Sequence, residues 1–113
     1  MKIDKIEDVT KENIIARASD LSKFVLRTPT IQLSSERLKT YLSGAEIYLK
    51  LECMQHTGTF KARGAISVAL QIPTDEVKFG ITAASAGNHA IASAWAARQI
   101  DTTAKVVMAN TAN

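Results

Sequence analysis

What most constrains this chain is the alternation of strand and helix patterns across residues 46–108. Residues 46–52 alternate polar and apolar side chains, the period-2 signature of a strand with one buried face. A loop over 53–58 follows. Thr59 is then placed to cap a helix over about 60–70, in which Ala62, Ala65, Ile66, Ala69 and Leu70 are available for packing. Pro73 closes that unit. Residues 80–83 read as a short buried strand, 84–87 as a tight turn, 88–98 as a helix and 104–108 as a further buried strand. Strands that alternate with helices in this way predict a parallel α/β sheet.

The first part of the chain is simpler. Val9, Ile14, Ile15, Ala18, Leu21 and Phe24 recur near the helical period, with Thr10 as N-cap, so an amphipathic helix is expected over 9–24. Thr28-Pro29 ends it, because the residue before proline is pushed into extended geometry. Residues 30–33 suit a short strand, and Ser34 and Ser35 offer caps for a second helix that reaches Tyr41 or Leu42 and closes at Gly44. There is no internal repeat and no linker-like stretch. The chain ends at Asn113 just after a strand pattern, where a parallel sheet would feed a crossover helix, so the ending reads as an interruption.

Composition narrows the function classes. With 46% hydrophobic and 22% charged residues in 113, the chain is an ordinary globular sequence of one domain at most. Its net charge of +3 comes from basic residues scattered between Lys2 and Lys105, whereas phosphate tracking needs a concentrated basic face; nucleic acid is therefore not an expected partner. One cysteine, Cys53, excludes an internal disulfide and a Cys-based zinc site, and the two histidines lack metal-ligand spacing. Cys53 reads as a small buried hydrophobe, and Trp95 and Met108 as core. The charged start of the chain has no signal-peptide run, so the cytoplasm is expected. Residues 79–97 carry no charge over 19 positions and imitate a membrane span. They are not read as one, because Thr82, Ser85, Asn88, His89 and Ser93 would each need a partner in hydrocarbon; a buried strand, loop and helix fits better.

Two segments join a strand to a helix through small polar residues: 55–61 and 84–89. Ligands of open parallel sheets bind where strand carboxyl ends meet helix N-termini, whose unpaired N–H groups and positive dipole end suit an anion. Lys61 lies in the first turn of its helix, where a cation is disfavoured by roughly 0.3–1 kcal/mol. The dipole and any burial there favour the neutral amine that Schiff-base chemistry requires. An isolated first-turn lysine is more often a solvated surface residue, and position alone does not decide. In 84–89 the lack of bulky side chains lets a carboxylate or phosphate approach the backbone and the Ser85 hydroxyl. Ordinary N-capping by Ser85 or Asn88 explains the same residues, and His89 is equally read as a structural histidine.

The motifs carry a resemblance. Residues 49–65, Leu-Lys-Leu-Glu-Cys-Met-Gln-His-Thr-Gly-Thr-Phe-Lys-Ala-Arg-Gly-Ala, resemble the KLExxQxTGSFKxRGA signature of the fold type II pyridoxal-phosphate enzymes. Residues 83–90 resemble that family's ASAGNHAQ motif. The Thr28-Pro29-Thr30 segment and the strand at Lys105–Met108 are also similar, so the likeness runs from about Arg27 onward. It implies the N-terminal portion of a tryptophan synthase β-like α/β fold, with parallel strands alternating with helices. Residues 1–78 would form the N-terminal helices and the start of the large cofactor-binding domain, and 79–113 the start of the small domain; the rest of both domains is absent from the chain. The implied cofactor is pyridoxal 5'-phosphate, bound covalently by Lys61, which would also move the substrate's α proton. Asn88 would hydrogen-bond the ring hydroxyl and Phe60 pack beside the ring. Ser85, Ala86, Gly87, Asn88 and His89 would receive the substrate carboxylate.

The TGTFKARGA run resembles the threonine/serine dehydratase and serine racemase branch. Eukaryotic-type serine racemases place a serine where this chain has Ala86, and that hydroxyl acts as the second acid/base. Ala86 cannot carry a proton, so the resemblance implies dehydration of L-threonine or L-serine to an oxo acid and ammonia, with racemisation or another hydroxy-amino-acid lyase activity as the alternative. A third alternative is an inactive fragment that folds only with a partner chain. The implied partners are a small amino-acid substrate and, in the complete protein, further copies in a homo-oligomer, with no membrane. Thr59, His56, Ile91 and Ala109 replace the family's Ser, Pro, Gln and Pro. The Gly-rich phosphate loop and the residue facing the pyridine nitrogen lie beyond this chain in the family.

Overall fold

The computed structural model describes residues 9–112; the charged first eight residues and Asn113 lie outside the described residues. The elements are α1 (Lys11–Leu21), β1 (Thr30–Gln32), α2 (Glu36–Leu42), β2 (Tyr48–Lys50), α3 (Lys61–Ala69), β3 (Ile81–Ala84), α4 (Asn88–Gln99) and β4 (Ala104–Val107), with short 3-10 turns at Glu52–Met54, His56–Gly58 and Val77–Phe79. Thr10 caps α1 as expected, its hydroxyl accepting the Asn13 N–H at 3.1 Å. The helix stops at Leu21, well before Thr28-Pro29, and runs into a turn in which the Phe24 and Val25 N–H groups both donate to the Leu21 carbonyl. α2 ends in two successive left-handed residues, Ser43 and Gly44.

β3 and β4 pair in parallel, with Ile81 opposite Ala104 and Ala84 opposite Val107, and α4 is the crossover between them. This βαβ unit is the parallel α/β arrangement expected from the alternation. β2 does not join it. It pairs antiparallel with β1, Thr30 opposite Lys50 and Gln32 opposite Tyr48, so the described strands form two separate two-stranded sheets. Periodicity specifies that a segment is extended but not its partner. Residues 30–32 offer β2 a closer edge, while α3 spends its apolar face on α4 and α1 rather than covering a sheet between β2 and β3.

The core is small. Leu21, Ile66, Ala69 and Ala96 form its buried centre, with Phe24, Val25, Ala65, Leu70, Ile81, Trp95 and Ile100 packed around them. The buried residues of α3 and α4 are Ala62, Ile66, Ala69, Ala90, Ala92, Ser93, Ala96 and Ala97. Residues 79–97 hold the expected strand, loop and helix, but the strands expected to be buried are not: only Ala83 of β3 and no residue of β4 is buried, because among the described residues the two pair only with each other. Among the described residues no helix is long and apolar enough to cross a membrane. The radius of gyration is 17.5 Å, where a compact domain of this length has roughly 13 Å.

The open shape leaves several expected core positions uncovered. Ile14 and Ile15 on α1 are exposed, every residue of β2 is exposed although its alternation predicts one buried face, and Met108 is 53% exposed. Trp95 is partly buried against the core, as expected. Cys53 is exposed, not buried, because it sits on the 3-10 turn after β2 rather than in a strand.

Candidate active site

Lys61 is the first residue of α3. The chain reaches it through Thr57 and Gly58, both left-handed with φ of 69° and 71°. A β-branched residue at positive φ is a strained conformation, of the kind that concentrates at functional turns. Thr59 then returns to extended geometry and its hydroxyl accepts the Lys61 N–H at 3.3 Å, but Phe60 and not the expected Thr59 occupies the N-cap position of α3, which no side chain caps. The Lys61 amine lies 5.6 Å from the centre of the Phe60 ring. Both side chains are exposed, so burial does not act on this lysine in the structure.

A groove of about 350 Å³ opens beside Lys61, lined by Phe60, Lys61, Gly64, Ala65, Val68 and His89. Its walls are the first two turns of α3 and the start of α4, so the packing of these helices brings Phe60, Lys61 and His89 together. Nothing lies within 4 Å of where a Cβ on Gly64 would stand, so the groove floor is open there. Ser85, Ala86, Gly87 and Asn88 do not line this groove. They form the adjoining loop from the carboxyl end of β3 into α4.

That loop begins where the Ser85 N–H donates to the Val107 carbonyl at 3.0 Å, extending the β3–β4 ladder by one bond. The Ser85 hydroxyl accepts the Gly87 N–H at 3.2 Å. Gly87 occupies the N-cap position of α4 and no side chain caps the helix, so the expected capping by Ser85 or Asn88 is not what is seen. Ala86, Gly87, Asn88 and His89 are exposed, and the helix presents its positive end without a protein side chain on it.

Sequence reasoning missed what holds Lys61's helix in place. Arg63 forks onto Glu52, Nε and the terminal amine each donating to a carboxylate oxygen at 2.8 Å, and the same amine donates to the Leu26 carbonyl at 3.0 Å. The buried Thr28 hydroxyl also donates to Glu52, and the Lys50 amine donates to the Thr28 carbonyl. Gln55, equally buried, grips both sides of the Leu26 peptide: its carbonyl accepts the Leu26 N–H and its amide donates to the Leu26 carbonyl, each at 2.9 Å. The hydrogen bond from Arg63 is the main cause holding the Glu52 carboxyl down at about 2, against a usual 4.5; partial burial opposes it, and the Thr28 hydroxyl and the charges of Arg63 and Lys50 assist. The signal was present as an arginine in the first turn of a helix, where an acidic partner is needed, and as two polar residues in the signature that the chemistry leaves without a task.

Comparison with known proteins follows the same residues. The family described as pyridoxal-phosphate dependent enzyme matches residues 21–113. An L-threonine ammonia-lyase of Thermotoga maritima is 40% identical over 100 residues, covering 88% of this chain and 24% of that protein. A phenylserine dehydratase of Ralstonia pickettii is 49% identical over 70 residues, covering 62% of this chain and 22% of that protein. Among solved structures, maize serine racemase superposes with a TM-score of 0.78 at 31% identity, covering 90% of this chain and 30% of that one. The chain thus spans about a quarter of the length of these two curated relatives.

Proposed function

Because the chain belongs to the pyridoxal-phosphate dependent enzyme family, we propose that it supplies the reactive lysine and the substrate-carboxylate loop of an ammonia-lyase that converts L-threonine or L-serine to 2-oxobutanoate or pyruvate and ammonia. The observation that carries this reading is the groove in which the Lys61 amine, the Phe60 ring and the start of α4 meet. A primary amine at the rim of an open, largely apolar groove with an aromatic ring beside it suits a flat aromatic aldehyde, so these residues fit the family's cofactor. When bound, pyridoxal phosphate supplies an electron sink for the bond broken at the substrate's α carbon.

In this reading Lys61 holds the cofactor and afterwards takes the α proton, a task for which a solvent-reachable amine at a helix N-terminus is suited. Asn88 presents its amide to the ring hydroxyl. The backbone donors of residues 85–89, with the positive end of α4 behind them, receive the substrate carboxylate. Residues up to 78 belong with the cofactor domain and 79–113 with the small domain, so the substrate loop and the lysine lie on opposite sides of the domain boundary.

The likeness to maize serine racemase favours a second reading, racemisation. Ala86 speaks against it, since its methyl group offers no proton to the other face of the substrate. The test is to express the protein from its own gene and incubate it with L-threonine and L-serine. Oxo acid and ammonia in equal amounts support the lyase; D-serine without oxo acid overturns it in favour of racemisation.

A further inference from the structure

The buried faces of α3 and α4 are unusual in what they lack. Apart from Ile66 and Ser93 every buried side chain on them is alanine. An alanine surface has no large knobs to seat in holes, and apolar contact is not directional. Such an interface holds two helices together without strongly fixing how far one is slid along the other. Hydrogen bonds to other neighbours can hold α3 where this interface does not, because their strength falls steeply with distance and angle. At the start of α3 the described bonds of this kind come from Arg63, whose fork meets both Glu52 oxygens and the Leu26 carbonyl, while Gln55 holds the same Leu26 peptide.

Arg63 is two residues from Lys61, about 3 Å along the axis and on a different side of the helix. Lys61 lines the groove shared with His89, whereas Arg63 faces the cleft lined by Ile14, Arg17, Ala18, Leu21 and Val25 of the α1 side. The fork therefore touches nothing that would react, yet any slide or roll of α3 that it prevents would carry the Lys61 amine by a similar distance.

We infer that Glu52 and Arg63 are positioning residues for Lys61: their bidentate pair, with the bond from Arg63 to the Leu26 carbonyl, sets where the first turn of α3 sits against the turn after β2 and the segment after α1, and so where the amine is presented. This rests on the reading of Lys61 as the reactive lysine. Arg63→Lys keeps the charge but loses the fork, and Glu52→Gln keeps the shape but loses the charge.

The test uses the protein expressed from its own gene, with Thr102→Val as the comparison. That change removes one hydrogen bond, from the Thr102 hydroxyl to the Val77 carbonyl, outside the candidate site. Two quantities are read below the unfolding temperature of each variant: kcat and KM for oxo-acid formation, and the rate at which pyridoxal with borohydride labels Lys61 in cofactor-free protein, followed by mass spectrometry. Arg63→Lys and Glu52→Gln are expected to lower kcat about 10- to 100-fold with KM little changed, as a misplacement on the order of 1 Å does, and to slow labelling of Lys61 relative to the other lysines. Thr102→Val should leave both readings at the native value for the same loss of melting temperature. Native labelling and native kcat in either folded variant overturn the inference, as does loss of the fold in both variants while Thr102→Val stays folded. If the unmodified protein forms no oxo acid, the proposed reaction fails, but the labelling contrast still decides the positioning role.

Discussion

The imidazole of His56 stacks on the indole of Trp95, with ring centres 5.4 Å apart and planes inclined by 22°. His56 opens the turn that carries left-handed Thr57 and Gly58 into α3, and Trp95 lies on α4. The stack thus clamps the strained turn before Lys61 to the helix whose first residues belong to the proposed substrate loop. A double-mutant cycle of His56→Ala and Trp95→Ala, read by urea unfolding, should give a coupling of about 0.5–1.5 kcal/mol. Additive effects would show that the rings merely lie near each other.

Gly64 separates stability from binding. It sits inside α3 with nothing within 4 Å of an added Cβ, so Gly64→Ala should raise stability by up to about 1 kcal/mol through helix propensity. The same methyl would stand on the floor of the groove beside Lys61. The variant should therefore melt higher and bind pyridoxal phosphate more weakly, measured by thermal unfolding and by the visible absorbance titration. Unchanged cofactor affinity would place the cofactor elsewhere.

Glu52 predicts an acid limb. Its carboxyl is held at about 2 in the folded chain against a usual 4.5, so the folded state binds the proton less readily than the unfolded one. The stabilisation is therefore fully present above about 4.5 and is lost as pH falls toward 2. The native protein should be more stable than Glu52→Gln by about 1–2 kcal/mol at neutral pH, and this gap should close between those two values. Urea unfolding at several pH values checks it; a gap independent of pH would mean that the charge of Glu52 contributes nothing.

Gly80 is required by its backbone. Its φ of 81° with ψ of −173° belongs to glycine alone, and an added Cβ would stand 2.8 Å from the Thr103 carbonyl oxygen, which is main chain and cannot swing away. Gly80→Ala should destabilise the chain by about 3 kcal/mol or more and disturb the β3–β4 pairing that begins one residue later. A loss under about 0.5 kcal/mol in denaturant unfolding would contradict this geometry.

The elements legible in the sequence are those whose signal is local. Thr10 caps α1 as its type dictates, and 79–97 holds a strand, a loop and a helix because a charge-free stretch with polar studs has few other soluble forms. What was not legible depends on partners distant in the chain. The pairing of β2 with β1, the exposure of Cys53 and the Glu52–Arg63 fork each join residues that no period or cap relates. The lysine could be singled out by the motif that contains it, with its odd place at a helix start in accord. The residues that hold it could not, because Thr28, Glu52 and Gln55 meet only once the fold brings residues 26–28 against the turn before α3.

Ala86 gives the sharpest test of reaction type. It lies exposed in the loop between β3 and α4, where its methyl group offers no hydroxyl; the neighbouring Ser85 hydroxyl accepts the Gly87 N–H. Dehydration requires one proton acceptor at the α carbon, which Lys61 provides in the proposed reaction, whereas racemisation requires a second group on the opposite face. A hydroxyl at position 86 is what the likeness to eukaryotic-type serine racemases implies for that group. Ala86→Ser is an exposed loop change and should alter stability by under about 0.5 kcal/mol. It should bring D-serine formation from L-serine up by about 100-fold, the usual worth of a placed acid/base, while the unmodified protein yields pyruvate with D-serine at background. Chiral chromatography of the reaction reads both products. D-serine from the unmodified protein at a rate matching pyruvate would show that a proton reaches the second face without residue 86, and the lyase reading would then give way to racemisation.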